Sequence, residues 1–172
     1  MRWLLGLLFY SSIAVAYGNL FATLTSRPFQ DPMDAIRLVE KTQPGVISSF
    51  NTEVQQGDIY YIFYVVNQRD NTCVQLEYAA LTGKLIQQNV SILNSSQHPE
   101  LAAIKFISKN KLLFSELVEL AKKQDSVHLL RAELDHDLGI SYLELELIDN
   151  NGQHRSAFNV ETLRPLPLLK WY

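Results

Sequence analysis

The sequence predicts an α+β fold of two tandem modules, each one helix packed on an antiparallel sheet of three to four strands. Three observations predict it. One pattern of helix, apolar hairpin and Thr-containing turn occurs twice, about 81 residues apart. The segments between the turns are rich in β-branched and aromatic residues, as pleated half-buried strands are. The turns themselves carry Gly, Asn and Asp, residues that accept the backbone angles a reversal needs. Sliding the chain by 81 places Ile36 on Leu117, Val39 on Leu120, Ile59 on Ile140 and Tyr61 on Tyr142, and Thr82 meets Thr162 after one deletion. A repeat of this kind bounds the architecture before any residue is read for chemistry.

The first module opens at Asp31, which can cap a helix, with Pro32 at the first helical position and Asp34 in the first turn. Ala35, Ile36, Leu38 and Val39 supply the apolar stripe, and Pro44-Gly45 stops the helix. A strand through Val46-Ile47 to Val54 turns at Gln55-Gln56-Gly57-Asp58 into the strand Ile59 to Val66. Arg69-Asp70-Asn71 turns the chain again into Thr72 to Tyr78, and Leu85-Ile86 continues beyond Thr82-Gly83.

The second module repeats this with weaker punctuation. Phe114, Leu117, Val118, Leu120 and Ala121 form its helical stripe, but Leu112 and Leu113 stand where a cap is expected. Leu138-Gly139 leads into the strand Ile140 to Ile148, Asn150-Asn151-Gly152 is a tight-turn signal, and Arg155 to Val160 closes the unit. Between the modules, Asn94-Ser95-Ser96-Gln97-His98-Pro99 is polar and leads into a short helix around Glu100–Ile107. Arg164-Pro165-Leu166-Pro167 ends the fold, because two prolines cannot continue a central strand.

A helix ending in Pro44-Gly45, two strands rich in Tyr and Val, and the closing Tyr78-Ala79-Ala80-Leu81-Thr82-Gly83 turn resemble the PepSY module of thermolysin-type propeptides. Phe158-Asn159-Val160-Glu161-Thr162-Leu163 is the second copy. Ala79 departs from the family's Asp, Leu163 from its Gly, and Asp125-Ser126 replaces Pro-Gly. The resemblance gives residues 29–93 as a first PepSY-like module, 94–110 as a linker with a short helix, and 111–172 as a second module. It implies a bacterial envelope protein that binds a protein or peptide, with a peptidase as the class of partner and inhibition or regulation as the action.

The N-terminus carries the compartment signal. Arg2 precedes the apolar run Trp3 to Tyr10 and the small-residue site Ala14-Val15-Ala16, the layout of a secretory signal. No charge occurs between Arg2 and Arg27, so a membrane anchor is the competing reading of residues 1–22. Either reading places the rest outside the cytoplasm, periplasmic or secreted, or held at the inner membrane by the N-terminus. A net charge of −3 gives no basic footprint for nucleic acid. Cys73 is the single cysteine, which excludes an internal disulfide, and its place on the strand with Gln75 and Glu77 reads as a structural thiol.

Sites for chemistry are sparse. No nucleophile elbow, paired metal-binding histidines, phosphate loop or zinc-spaced cysteines occur, so no catalytic, cofactor or metal residue is expected. Asp135-His136-Asp137 is the best metal candidate, but in an extended strand the two carboxylates point away from the imidazole, and a solvated turn is the simpler reading. Glu144 and Glu146 alternate with Leu143, Leu145 and Leu147, as on a strand wet on one side. The 81-residue alignment makes Tyr61, Phe63 and Val65 the counterparts of that wet face. An apolar set there is expected either to be covered by the chain or to bind a partner. Alternative functions are a small-ligand carrier or enzyme using a pocket between helix and sheet, and a structural component of a membrane assembly.

Overall fold

The computed structural model describes residues 20–93, 99–122 and 127–167. The expected signal peptide or anchor, residues 1–22, lies almost wholly outside them. After a helical stretch over 20–26 come α1 (Pro32–Thr42), β1 (Val46–Gln55), β2 (Asp58–Asn67), β3 (Thr72–Ala79) and β4 (Lys84–Ile92). Then follow α2 (Leu101–Asn110), α3 (Phe114–Lys122), β5 (His128–Asp137), β6 (Ile140–Asp149), β7 (Gly152–Asn159) and β8 (Arg164–Leu166).

Local chemistry explains the elements. The Asp31 carboxylate accepts the Met33 N–H at 2.7 Å and caps α1, with Pro32 in its first turn. Gly45 has φ +129, and a Cβ there would sit 2.6 Å from the Val66 carbonyl oxygen, so only glycine lets β1 start against β2. The helix α3 lacks a capping side chain at its own start. Its Ser115 N–H instead donates to Glu40 Oε1 of α1 at 3.0 Å, and Leu113 N–H donates to Glu116 at 3.2 Å. A residue 75 positions away thus caps α3, which no local sequence signal reveals. Replacing Glu40 with Ala removes an acceptor at a helix start and is expected to cost about 1 kcal/mol. Glu40→Gln keeps an acceptor and should cost less, as read by chemical denaturation.

The arrangement of two helix-on-sheet modules is overturned. All eight strands form one antiparallel sheet in the order β4-β3-β2-β1-β5-β6-β7-β8. The halves join where β1 pairs with β5, through Ser49 opposite Glu133, Phe50 opposite Ala132 and Asn51 opposite Arg131. The Thr52 hydroxyl adds a bond to the Leu129 carbonyl at 3.2 Å. The physical reason is edge satisfaction. Two separate sheets would each leave a first strand with a bare row of backbone donors and acceptors, and pairing them removes both edges. The strand β5 includes Asp135 and His136, so these residues belong to a strand rather than to a solvated turn.

The repeat itself has a different register. The left-handed turn residues Gln56 and Leu138, the bulges at Ser48 and Leu130, and the buried helix pairs Ile36 with Val118 and Val39 with Ala121 all correspond at 82 residues. The third strands correspond at 80, with Ala80 matching Val160 and Thr82 matching Thr162. Ala80 N–H bonds Ile59 O, and Val160 N–H bonds Ser141 O, 82 positions on. The counterpart of Tyr61 is therefore Leu143, not Tyr142. A one-residue slip along a strand exchanges its two faces. The same relation places Phe50 on Ala132 and Arg37 on Glu119, and both pairs touch, across β1–β5 and by an ion pair from α1 to α3. They mark a pseudo-two-fold axis through the sheet.

One hydrophobic core follows from this. It holds Ile36 and Val39 of α1, Leu117 and Val118 of α3, and Ala103, Ile104 and Ile107 of α2, with Phe50, Tyr61, Phe63, Leu143 and Leu145 of the sheet. The helix expected within a linker over 94–110 thus contributes three core side chains, and it packs on β1, β5 and β6.

Candidate binding face

Tyr61, Phe63 and Val65 lie in the core, on the sheet face covered by α1 and α3. Tyr61 donates its hydroxyl to the Gln30 carbonyl at 2.6 Å, and burial pushes its phenol well above the ordinary range. Phe63 is fully buried, with ring centroids 5.2 Å from Phe50 and 5.8 Å from Tyr78. Of the two alternatives for this set, cover by the chain itself is what the structure holds. These side chains fill the core between β2 and the helices, and a cavity of about 210 Å³ remains where Ala121 and Lys122 of α3 meet Leu147 and Phe158 of the sheet.

The opposite face carries the polar surface. Two rows of side chains cross it, read from the strand register. One runs Asn89, Gln75, Tyr64, Ser49, Glu133, Glu144; the other runs Gln87, Glu77, Ile62, Asn51, Arg131, Glu146, Arg155. In the second half the charges are matched. Arg131 pairs with Glu133, and Arg155 lies 3.6 Å from both Glu144 and Glu146. All of these partners but Glu146 are substantially solvent-exposed, so the pairs set the pattern of the face more than its stability.

The first half of this face is different in kind. Ser49, Asn51, Tyr64 and Gln75 are uncharged hydrogen-bonding groups, and Tyr64 stays about a third exposed. Ser49, Asn51 and Tyr64, with Ser48, Cys73 and Glu100, line a cavity of about 290 Å³ that Arg131, Glu133 and Leu134 close on the other side. Amide and hydroxyl groups beside an exposed phenol can donate to and accept from a peptide backbone and stack against a side chain. Cys73 is buried, and burial followed by the Glu100 carboxylate pushes its thiol up, so it stays protonated and is a poor nucleophile. A wider, open groove of about 720 Å³ lies at the β6–β7 turn, between Phe21, Ile148, Asp149 and Gln153. Phe21 there stacks edge-on against His128 at 5.6 Å, and burial followed by the Lys122 charge lowers the pKa of that imidazole.

The Asp135-His136-Asp137 carboxylates each have other work. Asp135 Oδ2 accepts the Tyr142 hydroxyl at 2.8 Å, and Asp137 accepts the Leu138 N–H at 2.9 Å. Burial, then the Asp135 hydrogen bond, raises the Tyr142 phenol. His136 Nδ1 lies 3.0 Å from the hydroxyl of Ser141, its cross-strand partner, which is itself buried. Among the described residues no group of three or more His, Cys, Asp or Glu side chains is placed to hold a metal ion. Nor is any helix among them long and apolar enough to cross a membrane. The polar first half of the far face escaped the sequence reading because the 81-residue alignment set Tyr61, Phe63 and Val65 on the outer face, which turns Tyr64 inward, whereas Tyr64 is exposed. Alternation alone could have found it once Phe63 was paired with Leu145.

No family model matches the chain, and no curated protein matches it. Among solved structures it is similar to the crystal structure of a candidate lipoprotein from Clostridium difficile 630, at 16% sequence identity and a TM-score of 0.46. That likeness covers 84% of this chain and 95% of the other.

Proposed function

We propose that this chain is an exported cell-envelope protein that binds a protein or peptide partner on the sheet face turned away from α1 and α3, and that it catalyses no reaction. The observation that carries the binding reading is the first half of that face, where uncharged hydrogen-bonding groups outnumber the single carboxylate of Glu77 in the two rows. There, Tyr64, Asn51 and Gln75 present hydrogen-bonding groups at the surface beside a cavity, while the other half ties up its charges internally. Export rests on Arg2, the apolar run to Tyr10 and the Ala14-Val15-Ala16 site. The PepSY resemblance supports a peptidase as the class of partner and regulation as the action.

The test uses a photo-crosslinking side chain placed at Tyr64, with the same group at Leu120 on α3 as the control. Leu120 is also exposed, on the helical side of the molecule. In cells carrying the full chain, position 64 is expected to give an adduct in the envelope fraction that position 120 does not. Equal labelling from both positions, or none from 64, removes this face as the site. A fusion of residues 1–40 to a reporter active only outside the cytoplasm tests export separately, and an inactive reporter overturns it.

A further inference from the structure

The two edges of the sheet are built differently. The strand β8 is three residues long and contains Arg164 and Pro165, with Pro167 just beyond. Charge, proline and shortness are the means by which proteins keep an edge from pairing. At the other edge β4 runs nine residues, all exposed, and from Leu85 to Leu93 there is no charge, no proline and no glycine. Ile86, Val90 and Ile92 are 56%, 61% and 82% exposed on this strand.

The backbone of β4 is oriented for a partner. Leu93 N–H bonds the Asn71 carbonyl at 2.9 Å, opposite it in the ladder. Antiparallel strands alternate the direction of their amides, so Asn89 and Ser91 also bond β3. Gln88, Val90 and Ile92 therefore aim N–H and C=O at the free edge. Among the described residues β3 is the one strand β4 pairs with.

We propose that β4 pairs with β4 of a second copy, antiparallel about a two-fold axis at Gln88, so that two eight-stranded sheets become one. The sequence is self-complementary in that register. Gln88 meets Gln88 of the partner and Gln87 meets Asn89, so amide faces amide over the regular part of β4, and Ile86, the bulged residue of the strand, comes opposite Val90 at the end of that stretch. No like charges oppose each other between residues 85 and 93. The chain already joins two four-stranded halves in this way at β1–β5, about its internal axis. A foreign strand would need to bring its own match to this pattern, whereas a second copy carries it.

The test is sedimentation equilibrium of the 172-residue chain in mild detergent, from about 1 to about 500 µM, the range of weak protein pairs. A dimer fraction that rises with concentration is expected. It should be accompanied by slowed amide exchange at Gln88, Val90 and Ile92, while Asn89 and Ser91 are unchanged. Gln88→Lys sets two ammonium groups across the axis and should weaken association more than tenfold, without loss of fold by circular dichroism because the site is exposed. Mixing Gln88→Lys with Gln88→Glu should restore pairing. A chain monomeric throughout, a dimer indifferent to Gln88→Lys, or a mixture that stays apart overturns the proposal, as does protection of these amides only when a foreign peptide is added.

Discussion

Phe63→Ala is expected to destabilise the protein by about 3–5 kcal/mol, the cost of truncating a fully buried aromatic. Phe63 has no exposed surface and sits in β2 between Phe50 of β1 and Leu76 of β3 on the covered face. Its ring meets Tyr78 edge-to-face at an interplanar angle of 88°, an arrangement that adds to simple area burial. Its neighbours Phe50, Tyr61 and Leu76 are themselves buried, which limits how far they can move into the void. Phe63→Leu fills most of the space and should lose much less. Denaturant unfolding of both variants gives the comparison. A loss below about 1 kcal/mol for Phe63→Ala would mean that the face is open and that Phe63 is available to a partner.

The individual elements were legible because their signals are local. Asp31-Pro32 marks a helix start through a carboxylate within reach of the Met33 amide, and Gly57 and Gly139 mark hairpins through positive φ. What joins the elements is not local. The contact of β1 with β5 runs through backbone groups that every residue has, and the side chains at the junction, Phe50 against Ala132, carry no distinctive pairing signal. The cap of α3 comes from Glu40, on another helix.

The candidate site was lost to one residue of register. With period-two side chains, aligning Tyr61 with Tyr142 instead of Leu143 turned the buried face outward and Tyr64 inward. The shared Tyr was the misleading feature. The bulges at Ser48 and Leu130 carried the correct spacing, but a bulge is a property of hydrogen bonding rather than of side-chain type.

Phe50→Ala is expected to cost about 3–5 kcal/mol as well, but its diagnostic effect is where the loss appears. Phe50 is fully buried on β1, beside the pseudo-two-fold axis, with its ring 5.4 Å from Tyr61 and its backbone neighbour in β5 at Ala132. In a molecule of two independent modules, this change would loosen strands β1–β4 and leave β5–β8 as stable as before. In one sheet with one core the two halves share a single unfolding transition, because neither can lose Phe50 without exposing the β1–β5 junction. Amide exchange under native conditions separates the cases. The slowest amides of β3 and β7, on opposite sides of the junction, should lose protection by the same free energy in Phe50→Ala. If β7 keeps its wild-type protection while β3 loses it, the halves unfold separately, and the continuous sheet is not the cooperative unit.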